Sequence, residues 1–501
     1  MNYHGHHVLV LGLGLTGLSL ALWLKKKGAD VVVADTRDSP PKLADLRRAD
    51  PDIPVRLGAW DETLFFGIDM VAISPGLNIN DRAFAPARSR HISIVGDIEL
   101  FARELPPSQK VIAITGSNGK STVTALSGAL CRSAGLTTVV AGNIGKPVLE
   151  VLADAEASGT HPDVYVLELS SFQLETTSSL MPSVATVLNV SPNHLDWHGD
   201  FDEYVRAKSR IFLNGGRQVL NRDDPLSMAM AMQGGGDERG GAGETGDGRE
   251  GHVDLVTFGA EPPSAATQWG LRRAANGAEW LARGDRDLIP ASALTLTGRH
   301  NALNALAALA LVDAIGVDGT AHLATVSSFR GLPHRMTHVA DVADVAYIDD
   351  SKSTTVASTI AALEGMGRKS VLIAGGDGKG QDFTPLVPAV REHARAVVVV
   401  GRDGPLVEHA LRASGVDIAR ADSLERAVAM ANRLARPGDA VLLSPACASW
   451  DMFRDYGERG DRFVQAVGAL PIESNSASGT ASGSATGSAT GSASESERQH
   501  A

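Results

Sequence analysis

Val111-Ile112-Ala113-Ile114-Thr115 runs straight into Gly116-Ser117-Asn118-Gly119-Lys120-Ser121-Thr122. The first five residues are apolar or β-branched and predict a buried strand, while Ser121–Ala134 carries a helical pattern. Between them, the glycines let backbone N–H groups turn toward an anion, and the following helix adds the favourable end of its dipole. Lys120 supplies a cation for β- and γ-phosphates, and the Ser121 hydroxyl can hold Mg²⁺. The usual phosphate-loop spacing requires glycine at position 114, where this chain has Ile114, so the loop is a shortened GxxGK[ST] form. A plain glycine turn capping a helix is the competing reading. The joint occurrence of strand, Gly-Lys-Ser and helix favours phosphate binding, with Gly116, Ser117, Asn118, Gly119, Lys120, Ser121 and Thr122 as the candidate contacts.

The same strand, glycine turn and helix recur on either side. Upstream, His7–Val10 leads into Gly12-Leu13-Gly14-Leu15-Thr16-Gly17, then a helix over Leu18–Lys27 and a strand over Val31–Ala34. Downstream, Val371–Ala374 leads into Gly375-Gly376-Asp377-Gly378-Lys379-Gly380, with later strands over Ala396–Val400 and Ala440–Leu443. Strands alternating with helices predict parallel sheets covered by helices, an α/β fold throughout. The 501 residues suit three domains. Their expected bounds are 1–107, 108–330 and 331–471: a Rossmann-like first, a P-loop-type second and a Rossmann-like third. Gln233–Gly251 reads as a glycine-rich solvated insertion. Residues 472–501 are Ser/Ala/Gly/Thr low complexity and are expected to be a disordered tail.

Bulk properties remove several classes. A net charge of −12 argues against general nucleic-acid binding, which needs a basic surface. The two cysteines, Cys131 and Cys447, exclude a disulfide framework and suit a reducing, cytoplasmic setting. Val8–Leu24 is apolar, but no Lys or Arg precedes it and glycines punctuate it, which disfavours an export signal or membrane span.

Further residues follow the loop in order: Asn143 in Ala141–Gly145, Glu168 ending the apolar run Val164–Leu167, His194 in Asn189–Asp196, and Lys208 in Tyr204–Lys208. Each alone has a bland reading, as a strand-end carboxylate, a loop histidine or a solvated lysine. As an ordered set with Thr115–Thr122, they resemble the Mur ligases and folylpolyglutamate synthases. Those enzymes use ATP to phosphorylate a carboxylate that an amine then attacks. The resemblance implies Lys120, Glu168, His194 and Lys208 as catalytic residues. It places Mg²⁺, as two ions, on Ser121, Glu168, His194 and Lys208, the lysine carbamylated by CO₂. Asn193 departs from the pattern, since many relatives have Asp before this histidine.

Read alone, GxGxxG with Asp35 after the second strand suggests an NAD-dependent dehydrogenase. Within the Mur ligase family, the branch adding D-glutamate to UDP-N-acetylmuramoyl-L-alanine has a Rossmann-like first domain that holds UDP. The resemblance then implies Leu15, Thr16, Asp35, Thr36, Arg37, Ser74 and Gly76 as uridine and diphosphate contacts, with Asn143 also on the substrate. It places Asn301 and Asn304 near adenine, where their bland reading is helix capping. Arg335, Asp350 and Lys352 fall near the nucleotide. His334, Thr354, Lys379, Ser449 and Tyr456 fall near D-glutamate. Tyr456 and Trp450 stand where relatives often have Phe and Leu, and Thr354-Thr355 where they have Thr-Asn. The implied enzyme is a monomer in which the third domain closes onto the second. Another Mur or folylpolyglutamate-type ligase, a dehydrogenase and a nucleotide-binding switch remain the alternatives.

Overall fold

The computed structural model describes residues 3–232, 255–296, 298–378 and 380–470. The insertion 233–251, the tail 472–501 and Lys379 lie outside these residues. Three sheets follow one another along the chain, each from its own run of sequence.

The first contains β1 (His7–Leu11), β2 (Asp30–Asp35), β3 (Val55–Leu57), β4 (Met70–Ile73) and β5 (Ser93–Val95), in the order β3-β2-β1-β4-β5. Every pairing is parallel. The strand order reverses beside β1, so a crevice opens at its carboxyl end, where such sheets bind ligands. The glycine turn sits there. A Cβ on Gly17 would lie 1.7 Å from the Gly12 carbonyl oxygen, so only glycine lets the helix Leu15–Lys26 start this close to β1. Val8–Leu24, the apolar run near the N-terminus, is therefore a buried strand followed by a helix.

The second sheet contains β6 (Lys110–Thr115), β7 (Thr138–Gly142), β8 (Val164–Glu168), β9 (Val184–Val187), β10 (Arg217–Asn221), β11 (Val256–Phe258), β12 (Gln268–Arg273), β13 (Glu279–Arg283) and β14 (Arg286–Pro290). Its order is β14-β13-β12-β11-β10-β9-β6-β8-β7. β6 lies between β8 and β9, and Ile114 pairs with Glu168, so the phosphate-type loop and Glu168 emerge side by side. The expected parallel α/β arrangement holds for β6 to β12, and the edge of the sheet adds strands the sequence reading did not anticipate. β12, β13 and β14 form an antiparallel meander that extends the sheet. Asn276-Gly277 turns the first hairpin, with Gly277 at φ +83° as that turn requires. The Ala/Leu helix Arg299–Ala314 covers this sheet, and fully buried side chains such as Leu306, Leu309 and Leu311 contribute about 1.5–3 kcal/mol each.

The third sheet contains β15 (Thr337–Val342), β16 (Val345–Asp349), β17 (Ser370–Gly375), β18 (Ala394–Val400), β19 (Asp417–Arg420) and β20 (Ala440–Leu443), in the order β15-β16-β20-β17-β18-β19. Only β15 is antiparallel, and the last strand, β20, lies between β16 and β17.

The helix Asp97–Glu104 follows β5 but packs on the second unit, against helices Val148–Ser158 and Ser171–Glu175. Buried Glu99 fixes it there by accepting the N–H groups of Ser178 (2.7 Å) and Ser179 (2.9 Å). Phe101 meets Tyr165 edge-on at 5.0 Å. A single apolar core consequently runs through the first two sheets. Among the described residues, no helix is long and apolar enough to cross a membrane.

Candidate functional site

A cleft of about 540 Å³ opens where the three units meet. Leu15, Thr16 and Pro75 line it from the first, Ser121, Asn143 and Gln173 from the second, and His334, Arg335, Lys352 and Tyr456 from the third. A second cleft of about 530 Å³ lies on the other side of the phosphate-type loop. Asn118, Gly119 and Asn304 line it, together with Asp350 and Met336 of the third unit. The loop thus forms a wall between two ligand-sized spaces.

The loop closes as its sequence dictates. Gly119 adopts φ +81° and starts the helix Lys120–Ser133, and a Cβ there would lie 2.5 Å from Asn304 Oδ1. Lys120 Nζ donates to the Gly116 and Ser117 carbonyls, both at 3.0 Å. Arg335, from the third unit, donates to the Ser121 hydroxyl at 2.7 Å. Thr122 follows in the same helix. Asn304 donates to Asn301 Oδ1 at 3.3 Å, so Asn301 orients the side chain that faces the second cleft.

Electrostatics mark this junction. Burial lowers the pKa of Lys120, Glu168 opposes that shift, and Arg335 and Lys352 add to it. Lys352 falls to about 8 through burial and then Arg335; its ammonium lies 3.8 Å from the Tyr456 ring centroid. Lys208, only 2% exposed, is held well below its usual range by burial and by Lys120, against the pull of Glu168. Its Nζ donates to the Gly116 carbonyl (2.9 Å) and lies 4.6 Å from the Tyr204 ring centroid. Lys120, Lys208 and Lys352 thus each feel the Glu168 carboxylate, and Arg335 acts on Lys120 and Lys352 in turn. With Lys208 pushed toward its neutral form, Lys120, Lys352 and Arg335 still outnumber Glu168, an excess of positive charge that suits a polyanion.

Glu168 also has the geometry of a cation ligand. Asn143 Nδ2 donates to its Oε1 (2.9 Å), while its buried Oε2 has no hydrogen-bond partner. An orphaned carboxylate oxygen is costly unless something positive reaches it. Mg²⁺ takes oxygen ligands and commonly uses few protein groups together with phosphate oxygens, so Glu168 and the Ser121 hydroxyl fit it. Among the described residues no three His, Cys, Asp or Glu side chains gather as an all-protein metal site. His194 has left-handed backbone (φ +54°), is exposed, and sets its ring 4.9 Å from Phe172.

In the first unit, the Asp35 carboxylate accepts four hydrogen bonds. Arg37 N–H and Nε reach Oδ1 at 2.9 and 2.8 Å, and Leu13 N–H and Arg37 Nη2 reach Oδ2, both at 2.7 Å. Burial would raise its pKa, but these donors outweigh burial and hold it at about 2. With its lone pairs filled, Asp35 shapes the glycine turn and aims Arg37 rather than offering a free acceptor to a ribose hydroxyl. Thr36 lies between them, and Ser74 donates to the Gly12 carbonyl at 3.0 Å. The Gly76 carbonyl accepts from Trp197 Nε1 at 3.4 Å, joining this unit to the loop that carries His194.

The residues expected around the amino acid divide. His334 and Tyr456 line the three-unit cleft. The buried Asp349 carboxylate binds His334 Nδ1 at 2.6 Å. Thr354 and Ser449 line neither cleft: the Thr354 carbonyl accepts from Gln381, and buried Ser449 caps a turn through its carbonyl. Lys379 lies outside the described residues. Asp350 faces the second cleft, its pKa raised to about 6 by burial against bonds from Ser353 and Ser444. The sequence reading passed over Asp97, Gln173 and Asp455, which line the first cleft. Only Gln173 had a signal, a capping box with Ser170.

Family models match along the chain in the same order as the sheets: a Mur ligase MurD-like N-terminal domain over 6–96, a Mur ligase middle domain over 114–239, and a Mur ligase glutamate ligase domain over 334–447. The chain belongs to the Mur ligase family. Its relatives include the UDP-N-acetylmuramoylalanine--D-glutamate ligases of Methylobacillus flagellatus and Thiobacillus denitrificans. Each is 50% identical to this Mur ligase, over 94% of its length and 98% of theirs. Its fold is similar to that of UDP-N-acetylmuramate-alanine ligase MurC from Thermotoga maritima, with TM-score 0.56, 20% identity, and 92% and 99% of the two chains covered. MurF from Acinetobacter baumannii has the same fold, with TM-score 0.54, 16% identity, and coverage of 92% and 93%.

Proposed function

We propose that this Mur ligase adds D-glutamate to UDP-N-acetylmuramoyl-L-alanine with ATP, in peptidoglycan precursor synthesis. The observation that carries this reading is that Arg335 of the third unit bonds Ser121 of the phosphate-type loop, with Lys352 beside it, in a cleft that also reaches Leu15 and Thr16 of the first. ATP fits along the second cleft, its adenine toward Asn304 and Asp350 and its phosphates toward Gly116–Thr122. The sugar nucleotide runs from Leu15, Thr16 and Arg37 to Asn143, so its terminal carboxylate meets the phosphates at Lys120. D-glutamate enters beside His334, Lys352 and Tyr456.

The substrate carboxylate oxygen attacks the γ-phosphorus and ADP departs, leaving an acyl phosphate. The D-glutamate amine then attacks the acyl carbon, loses a proton and expels inorganic phosphate. Lys120, Arg335 and Lys352 stabilise the charge passing through the transferred phosphoryl group. Ser121 and Glu168 would hold Mg²⁺, which would lower the repulsion between ATP and the substrate carboxylate. Burial and Lys120 push Lys208 toward the neutral amine that CO₂ requires: such an amine would attack the carbon of CO₂, release a proton and become a carbamate, adding an anion beside Glu168. The unpaired, buried Cys131 and Cys447 fit a reducing, cytoplasmic setting.

Phosphate release with ATP, UDP-N-acetylmuramoyl-L-alanine and a panel of D- and L-amino acids tests the reading. Release with D-glutamate alone is expected, and indifference to D-glutamate overturns it.

A further inference from the structure

Asp97 is the first residue of the helix Asp97–Glu104 and lines the three-unit cleft together with Thr16, Pro75, Asn143 and Gln173. It is 3% exposed, and its Oδ1 has no hydrogen-bond partner. Its Oδ2 has a long bond from Gln173 Nε2, at 3.5 Å, and the Ile98 N–H of its own helix also reaches the carboxyl. Gln173 is itself fixed, because its Oε1 accepts from the Ser170 N–H (3.2 Å) and hydroxyl (3.3 Å). The Glu99 contacts to Ser178 and Ser179 hold the Asp97 helix on the same unit as Gln173.

A buried carboxylate usually has a cation or a full set of donors. Asp97 has neither, whereas Glu99, two residues on, has both, with Arg103 at 2.9 Å. Burial raises the Asp97 carboxyl to about 6, offset only in part by the Ile98 N–H and Gln173. At neutral pH the ionised group therefore costs the fold stability, which a purely structural position would shed by carrying Asn.

We propose that Asp97 and Gln173 form a subsite for the middle of the sugar nucleotide, Asp97 accepting a hydrogen bond from a neutral donor there. This rests on the functional reading above, because the two residues share one cleft with Leu15 and Thr16 of the turn assigned to UDP and with Ser121 of the loop assigned to phosphate transfer. An anionic group of the ligand is excluded by like charge. The donor is an amide N–H or a hydroxyl, on the hexosamine or on its lactoyl-alanine arm.

Calorimetric titration of the wild type, Asp97→Asn and Asp97→Ala with three probes tests the assignment. UDP should bind all three proteins within a factor of two. UDP-N-acetylmuramoyl-L-alanine should bind Asp97→Ala about 10-fold or more weakly, with Asp97→Asn intermediate because its amide keeps one acceptor. UDP-N-acetylglucosamine locates the donor: loss already with this probe places it on the hexosamine, and loss with the full substrate alone places it on the lactoyl-alanine arm. Asp97→Asn should melt no lower than wild type. Equal affinities across all three proteins overturn the proposal, as does a loss of UDP affinity accompanied by a lower melting temperature. Wild-type protein that releases no phosphate with D-glutamate sinks the functional reading instead, whatever the titrations give.

Discussion

The turns at Gly12–Gly17 and Gly116–Ser121 follow the same plan, a buried strand whose carboxyl end passes through glycines into a helix. Their charged surroundings are opposite. The first closes on Asp35, an acid saturated by donors from its own neighbourhood and by Arg37. The second sets Glu168 against Lys120, Lys208 and Lys352, with Arg335 acting on Lys120 and Lys352. Backbone geometry makes both turns able to meet a ligand; side chains arriving from other strands and another domain decide which ligand each one meets.

Removing the cation at the second turn should have the largest effect. Lys120→Ala is expected to slow phosphate release by about 1,000-fold or more, while UDP binding at the first turn stays within a factor of two. If UDP affinity also collapses, the two turns are not separable. Lys208→Ala should cost roughly 100-fold in turnover, with partial rescue by short carboxylic acids such as acetate, which restore an anion beside Glu168. Unchanged turnover would remove Lys208 from the site. Next comes the pH profile. Lys352 carries its charge below about 8 and loses it above, so kcat/KM for ATP should fall as pH rises through that value. Lys352→Arg should abolish the inflection, since guanidinium stays charged. The smallest effect belongs to the first turn. The Asp35 pKa is lowered in the fold to about 2 from 3.8, so its contribution to stability is present above pH 4 and is lost as pH falls toward 2. The gap in urea midpoint between wild type and Asp35→Asn should therefore close on acidification, and a pH-independent gap would count against the hydrogen-bond account.

Much of this contrast is legible in the sequence because it is local. Val111–Thr115 followed by glycines forms β6 and its turn, and Ala440–Leu443 is β20 as read. The meander β12–β14 was missed although Asn276-Gly277 is a hairpin signal, because arginine-rich flanks hide the alternation of Trp269, Leu271 and Leu281. The site was legible only where a motif carries it. Lys120 belongs to a loop pattern; Asp97 belongs to none, and what singles it out is a missing partner, which only three-dimensional contacts expose. Asp35 looked like a free acid because sequence spacing cannot show that Leu13 and Arg37 fold back onto it.

The place of β20 has a consequence for how the enzyme is made. The strand that joins β16 to β17 is the last one among the described residues, so the halves of the third sheet have no central neighbour until residues 440–443 have been synthesised. Until then, Lys352 and Arg335 have no finished platform from which to reach across to the second unit. A chain shortened before residues 440–443 therefore lacks the strand that brings β16 and β17 together and cannot assemble the reaction centre.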